Sequence, residues 1–306
     1  MAECFLVTRS EFDRIKNAKM RETVRLFLLS DMCRLNTLTA VKLAGSGHLG
    51  SSFSSLDMVT FLYYSEMNTA RVGVDHPDRD IYFSSKGHDV PGLYAVLHAI
   101  GILPSDQLLN LRRLRGTCGH PHVNTPGVEA NSGSLGMGIS KAKGMAIAKK
   151  LRERVGRVFV MTGDGEFQEG QIYEALQGAA HQGVSNLTVI LDHNKVQSDR
   201  PVEKILHLGN LEEKLRAFGW HVARCDGHNF EQIARVFQEL KGITDKPKIL
   251  IADTIKGKGV SFMEHPQALQ EGGGLYKWHA GAPDDPSFEN GYQEILDVVN
   301  ARLARE

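Results

Sequence analysis

The stretch Val158-Phe-Val-Met-Thr-Gly-Asp-Gly-Glu-Phe-Gln-Glu-Gly-Gln-Ile-Tyr-Glu-Ala175, closed by Leu187-Thr-Val-Ile-Leu-Asp-His-Asn194, decides how the chain is read. It spells strand, Gly-Asp-Gly turn, helix, second strand and then an asparagine. Val158 to Met161 is apolar on both faces, as a strand buried in a parallel sheet must be. Gly163 and Gly165 free the backbone for a tight turn and for close approach to a ligand. Asp164 falls where strand gives way to helix, the edge at which open α/β sheets bind ligands. Leu187 to Leu191 carries Asn194 to that same edge. A carboxylate and an amide oxygen together there suit a hard cation such as Mg2+, which also takes phosphate oxygens and water. In a lone strand–turn–helix the Asp would be a helix cap. Asn194 on a second strand end shifts the reading to a metal site.

Outward from this unit, Trp220 to Arg224 and Ile249 to Asp253 read as strands, and Leu211 to Phe218 and Phe230 to Leu240 as helices. That alternation is the pattern of an α/β fold, a doubly wound, mainly parallel sheet with helices on both faces. Towards the N-terminus, Ser10 to Ala44 carries apolar residues at helical spacing and predicts one long helix, capped by Ser10 and Asp13. A loop, Ala44 to Ser52, precedes a helix over Ser55 to Met67. Asp80 to Ser84 predicts a strand, Val90 to Ile100 and Pro104 to Leu114 helices. Gly116 to Gly138 is a loop too long to be a mere connection, followed by a small-residue helix, Ile139 to Leu151. The Gly-rich segment from Gly272 to Pro283 reads as a mobile loop, and Phe288 to Leu303 as a closing helix. No linker interrupts residues 1–306, so they read as one domain with an N-terminal helical extension and a C-terminal helix.

Composition narrows the function classes. Lys+Arg and Asp+Glu each number 36, so the net charge is zero. A nucleic-acid or anionic-membrane partner would want a basic face instead. No apolar run reaches the length of a membrane span, and Met1 to Arg9 has too short an apolar core for a signal peptide. Cys4, Cys33, Cys118 and Cys225 form no CxxC pair and read as reduced thiols of a cytoplasmic protein. Glycine, at 31 residues, clusters in loops that also hold histidine.

Those loops are Gly45-Ser-Gly-His48-Leu-Gly, Ser85-Lys-Gly-His88, Gly119-His120-Pro, Pro126-Gly-Val-Glu129, Gly133-Ser-Leu-Gly136 and the segment around His279. With the Gly163-Asp-Gly to Asn194 unit, their order and spacing resemble the N-terminal, diphosphate-binding part of transketolase, from about Arg21 to about Pro283. The pyrimidine-binding and C-terminal domains of full-length members have no counterpart here. The chain is therefore similar to the first subunit of a split, two-gene transketolase, as are its Gly133-Ser-Leu-Gly and Lys256-Gly-Lys-Gly forms. Met137, His122 and the spacing after His279 depart from the family pattern.

The resemblance implies thiamine diphosphate and Mg2+ as cofactors, with Ca2+ or Mn2+ able to substitute. It implies Asp164, Asn194 and the carbonyl of Val196 as metal ligands. Gly165, Glu166, His88, Asn194 and His279 would lie on the diphosphate side, and Gly133, Ser134 and Leu135 against the aminopyrimidine. His48, His120 and His279 would face the substrate. Glu169 and Glu174 would belong to an acidic cluster joining paired sites across a subunit interface, Glu169 with a part in catalysis. Moving a two-carbon ketol unit needs bases for sugar hydroxyls and donors for oxyanions, and imidazole serves both near neutral pH. The implied partner is a separately encoded C-terminal subunit, in an α2β2 assembly acting on sugar phosphates. Half of a deoxyxylulose-phosphate synthase-like or 2-oxoacid dehydrogenase-like enzyme, or a non-catalytic phosphate-binding module, are the alternatives; three Gly-His loops favour transketolase. His76, His122 and His228 read as structural, and Lys86 equally as a surface lysine or as the partner of an acid near the site.

Overall fold

The computed structural model describes residues 4–306; Met1 to Glu3, part of the segment read against a signal peptide, lie outside the described residues. Five strands, β1 (Ile81–Ser84), β2 (Val158–Gly163), β3 (Leu187–His193), β6 (His221–Asp226) and β7 (Lys248–Asp253), form one sheet in the order β1-β2-β3-β7-β6. Every pairing in it is parallel. Among the described residues, antiparallel pairing is confined to the two-residue strands β4 (Val196–Gln197) and β5 (Arg200–Pro201), a hairpin just past β3.

Side-chain alternation splits the interior into two layers. Val158, Val160, Leu187, Val189, Leu191, Ile249 and Ile251 point to one face, with apolar residues of α7 (Gly138–Leu151), α8 (Gly170–His181) and α10 (Leu211–Ala217). Phe159, Met161, Ile190, Leu250 and Ala252 point to the other. That face is covered by α2 (Glu22–Ala44), α3 (Leu49–Phe61), α5 (Val90–Ala99), α11 (Phe230–Lys241) and α13 (Asp285–Leu303). The doubly wound, parallel architecture follows directly from strands that are apolar on both faces. Shorter helices α1 (Arg9–Asn17), α4 (Thr69–Val72), α6 (Ser105–Leu109), α9 (Val202–Ile205) and α12 (His265–Glu271) lie in the connections.

Five expectations are corrected. The first helix is two, because the chain turns extended at Ala18 and Arg21. The break lets Phe12 fold back edge-on against His98 of α5, 6.5 Å between ring centroids. Thr8, not Ser10, sits at the first cap. The third helix begins at Leu49, directly after His48, although Gly50 to Ser55 is a poor helical run. Every residue of α3 is buried, and Ser52 and Ser55 satisfy their hydroxyls by bonding back to the preceding turn. Ser52 Oγ donates to His48 O at 2.7 Å and Ser55 Oγ to Ser51 O at 2.9 Å. The helix expected to Leu114 stops at Leu109. Leu111 is the last residue to reach the core, Arg112 has left-handed φ (60°) and Leu114 is fully exposed. The segment expected to be mobile is tied down: Tyr276 N donates to Asp199 O at 2.7 Å, Gly50 N to Trp278 O at 3.2 Å and Gly281 N to Gly47 O at 2.9 Å.

Ile190 is fully buried in the middle strand and belongs to the larger core. Ile190→Ala should cost about 2–5 kcal/mol of unfolding free energy. Val298→Ala, on the outer face of α13 at 39% exposure, should stay within about 0.5 kcal/mol. Urea unfolding of the isolated chain measures both.

Candidate active site

All five strands end on one edge, and the loops leaving β1, β2, β3 and β7 enclose a cavity of about 260 Å3. At the end of β2, Asp164 is almost fully buried. Its Oδ1 accepts from Gly165 N at 2.8 Å and its Oδ2 from Lys195 N. Lys195 takes left-handed φ (67°) to aim that amide. Asp164 has no ion-pair partner among the described residues. Burial, then the charge of Asp192, raises its carboxyl pKa. Asn194, one residue past β3, donates to Asp192 Oδ2 at 2.9 Å, while its Oδ1 accepts from Val196 N at 3.2 Å.

Asp192, by contrast, is fully paired. Lys86 Nζ lies 2.5 Å from its Oδ2 and Ser54 Oγ 2.6 Å from the same atom; Thr254 Oγ1 donates to Oδ1. Burial works against both charges, but the pairing outweighs it, lowering the pKa of Asp192 and raising that of Lys86. Lys86 is therefore no surface lysine. A second buried ammonium, Lys256 Nζ, donates to the carbonyls of Val196 (3.1 Å) and Ser198 (3.0 Å). Burial pushes its pKa down to about 8.

Opposite the acid end stand the histidines. The ring of His48 lies 5.2 Å from those of His88 and His279, and His88 lies 5.5 Å from His279. His120, more exposed, lies 6.3 Å from His48. Burial lowers the pKa of all four, His48 and His279 to about 4; Arg112 adds to the effect at His48 and His120, Lys86 at His88 and Lys256 at His279. These are neutral imidazoles near pH 7. The Nδ1 atoms of His48 and His279 and the Oγ of Ser51 are buried without a hydrogen-bond partner among the described residues. Unpartnered polar atoms around a cavity mark a place for a polar ligand.

Two glycines let the loops close in. A Cβ on Gly87 would stand 2.9 Å from Gly133 N, and Gly133 itself has φ 125° with His120 Cδ2 2.9 Å from where its Cβ would be. Glu166 ties the same loops: its carboxylate accepts from Ser85 Oγ, Gly136 N (2.8 Å) and Gly163 N (3.2 Å).

The structure thus gathers His48, His88, His120, Gly133, Leu135, Asp164, Gly165, Glu166, Asn194, Val196 and His279 around one cavity. Ser134, Glu169 and Glu174 are outside its lining, Ser134 and Glu169 exposed and Glu169 at the cap of α8. Sequence reasoning gave no site role to Lys256, Asp192, Gln197, Ser198 or Arg112. Lys256 lay in a noticed Gly-rich turn at a strand end, and Asp192 two residues before Asn194; position at the carboxyl edge was the available signal. No disulfide joins any of the four cysteines among the described residues. No described helix is long and apolar enough to cross a membrane.

A family model described as "Transketolase, thiamine diphosphate binding domain" matches residues 28–275. The chain belongs to the transketolase family. Among its transketolase relatives, one of the subunits of the apulose-4-phosphate transketolase of Phocaeicola vulgatus is 36% identical over 285 residues, 92% of this chain and 97% of the relative. A 6-deoxy-6-sulfo-D-fructose transketolase subunit of a Clostridium species is 38% identical over 238 residues, 77% of this chain and 86% of the relative. The crystal structure of transketolase from Campylobacter jejuni superposes with a TM-score of 0.80 at 28% identity, covering 90% of this chain but 43% of that one. In length this transketolase-family chain matches those two subunits and spans under half of the Campylobacter enzyme.

Acid should loosen this transketolase fold. An unfolded imidazole titrates near 6.5, whereas His48 and His279 hold off protonation to about 4. As pH falls below about 6.5 the unfolded chain binds protons first, so stability declines until about pH 4 and then no further on their account. Urea midpoints of the isolated chain should fall between about pH 7 and pH 4.5, less steeply in His48→Gln/His279→Gln.

Proposed function

We propose that this chain is the diphosphate-binding subunit of a cytoplasmic two-chain transketolase that moves a two-carbon ketol unit from a ketose phosphate to an aldose phosphate. The partner would be a separately encoded C-terminal subunit carrying the pyrimidine-binding domain, in an α2β2 assembly. Length supports this: two relatives named as subunits are covered over 97% and 86% of their length.

The observation that carries the reading is Asp164, a buried carboxylate without an ion-pair partner among the described residues. Beside it stand two further oxygens, Asn194 Oδ1 and Val196 O, each accepting one hydrogen bond and each with a lone pair to spare. One carboxylate, one amide and one carbonyl make a hard-oxygen set for Mg2+, completed by phosphate oxygens and water, with Ca2+ or Mn2+ able to replace it. Three protein oxygens but only one negative charge fit a metal that arrives with an anionic diphosphate. His88, His279, Asn194 and the backbone of Gly165 would flank that diphosphate, with Lys256 as an added cation; Glu166 holds the loops that do so. Gly133, Ser134 and Leu135 would meet the aminopyrimidine.

When bound, the cofactor's thiazolium supplies the electron sink for breaking the bond between the second and third sugar carbons. The chain's own work is proton handling and placement. His48 Nδ1, buried and without a partner among the described residues, would accept a proton from a substrate hydroxyl. His120 would do the same at the open side, and His279 would orient the substrate. A base must be neutral to serve, and burial keeps these imidazoles so. Glu169 and Glu174, outside the cavity lining, would meet the other subunits and link paired sites.

The isolated chain should show no ketol transfer, and adding the partner should restore it; robust turnover by the chain alone would sink the split assignment. In the assembled enzyme, Asp164→Ala should abolish Mg2+-dependent binding of thiamine diphosphate, read by fluorescence titration. His120→Ala should leave binding intact and lower kcat about 10²–10⁴-fold.

A further inference from the structure

Behind the turn that carries Lys256 lies a second buried charge cluster, outside the cavity lining and without a role in the reaction so far. Its centre is Asp57 on α3, which is fully buried. Burial opposes ionisation of Asp57, but Arg34, His228 and Ser30 hold its carboxyl well below the usual range. Arg34 Nη2 lies 2.6 Å from Oδ1, Ser30 Oγ donates to the same oxygen, and His228 Nδ1 lies 2.7 Å from Oδ2.

Both basic partners reach onward to the same turn. Ile255 N donates to His228 Nε2 at 2.9 Å, and Arg34 Nε donates to Lys258 O at 3.0 Å. Lys256 sits between those two anchors, its Nζ on the carbonyls of Val196 and Ser198. Because Ile255 supplies a proton to Nε2, that nitrogen must be the acceptor, and the ring proton is on Nδ1, donated to Asp57. The turn has little slack: a Cβ on Gly259 would stand 2.7 Å from Arg34 Cδ.

We propose that Asp57, acting through His228 and Arg34, positions Lys256 for the cofactor's diphosphate. Asp57 lies outside the active-site lining; it fixes the tautomer of one clamp and the direction of the other. This rests on the reading of Lys256 as a diphosphate contact.

The test uses the assembled enzyme and the two amides that each mimic one ring nitrogen. In His228→Gln the side-chain oxygen takes the place of Nε2 and keeps the bond from Ile255. In His228→Asn the amide N–H takes the place of Nδ1 and keeps only the bond to Asp57. We expect His228→Gln, which keeps the grip on Ile255 but not the bond to Asp57, to bind Mg2+–thiamine diphosphate more weakly than wild type but more tightly than His228→Asn, which should bind about 10- to 100-fold more weakly than wild type. In a Lys256→Met background the two should bind alike, since the effect runs through Lys256. A purely structural His228 gives another pattern: binding that follows the thermal midpoint of the unliganded chain, or a Gln–Asn difference that survives Lys256→Met. Either overturns the proposal. If neither variant folds, 15N-histidine NMR of the wild-type chain decides: a protonated Nε2 on His228 overturns the clamp, an unprotonated one with a hydrogen-bonded shift supports it. Failure of the wild-type enzyme to bind thiamine diphosphate would instead strike the cofactor reading itself.

Discussion

A carboxylate buried without an ion-pair partner among the described residues governs the carboxyl edge of this sheet. Asp164 is the first residue past β2 and Asp192 the second-last residue of the neighbouring β3, level with Gly163. Desolvation alone would press both towards the neutral form. The protein resolves the two cases differently. Asp192 receives Lys86 and two hydroxyls and is held ionised. Asp164 receives two backbone amides, so one local charge is left for something from outside the chain. The pairing of Asp192 is what makes the openness of Asp164 specific. Were both acids unpaired, an incoming cation would meet two competing positions; with Lys86 in place, the proposed cation would meet one.

The fold serves this asymmetry. A parallel sheet apolar on both faces must be covered twice, and covering it forces each connection to run from the carboxyl edge back over a face. The loops carrying His88, Asp164, Asn194 and Lys256 therefore start at that edge. α3 shows how strongly packing shapes the site. Its first turn is rich in glycine and serine, poor helix formers, yet it is helical because all of it is buried. That starts the helix at once after His48 and sets the imidazole at the cavity instead of on a floppy loop. The same serines supply Ser51, unpartnered at the site among the described residues, and Ser54, bound to Asp192.

What was legible in the sequence was whatever depends on strand ends and on glycine. Val158 to Met161 announced an interior parallel strand; Asp164, Asn194 and His88 converge because each follows a strand end, and His48 because it directly precedes α3, whereas His120 comes from the long loop between α6 and α7. What was hidden depends on burial of charge. A lysine reads as a surface residue unless its acid is known, and Lys86 finds Asp192 at a sequence separation of 106 residues. Lys256, just before Gly257, is buried against Tyr276, whose ring centroid lies 5.2 Å from Nζ. Helix limits failed for related reasons. The break at Ala18 carries no glycine or proline, and it goes with a tertiary contact, Phe12 against His98 of α5, that the local sequence does not show.

His228 shows why the two charge clusters have to be separate. A group that grips the Lys256 turn must not itself compete for the diphosphate, so it belongs behind the turn, away from the cavity. There a lone neutral imidazole could present either nitrogen to Ile255, and half of the choices would repel the amide. An ionised Asp57 removes the ambiguity, since it can accept only. Arg34 keeps Asp57 ionised and uses its remaining N–H groups on Lys258 and Asp31. Asp192 with Lys86 and Asp57 with Arg34 thus solve one problem twice. Each pair fixes a buried carboxylate so that a neighbouring group, Asn194 in one case and His228 in the other, is held in a single orientation.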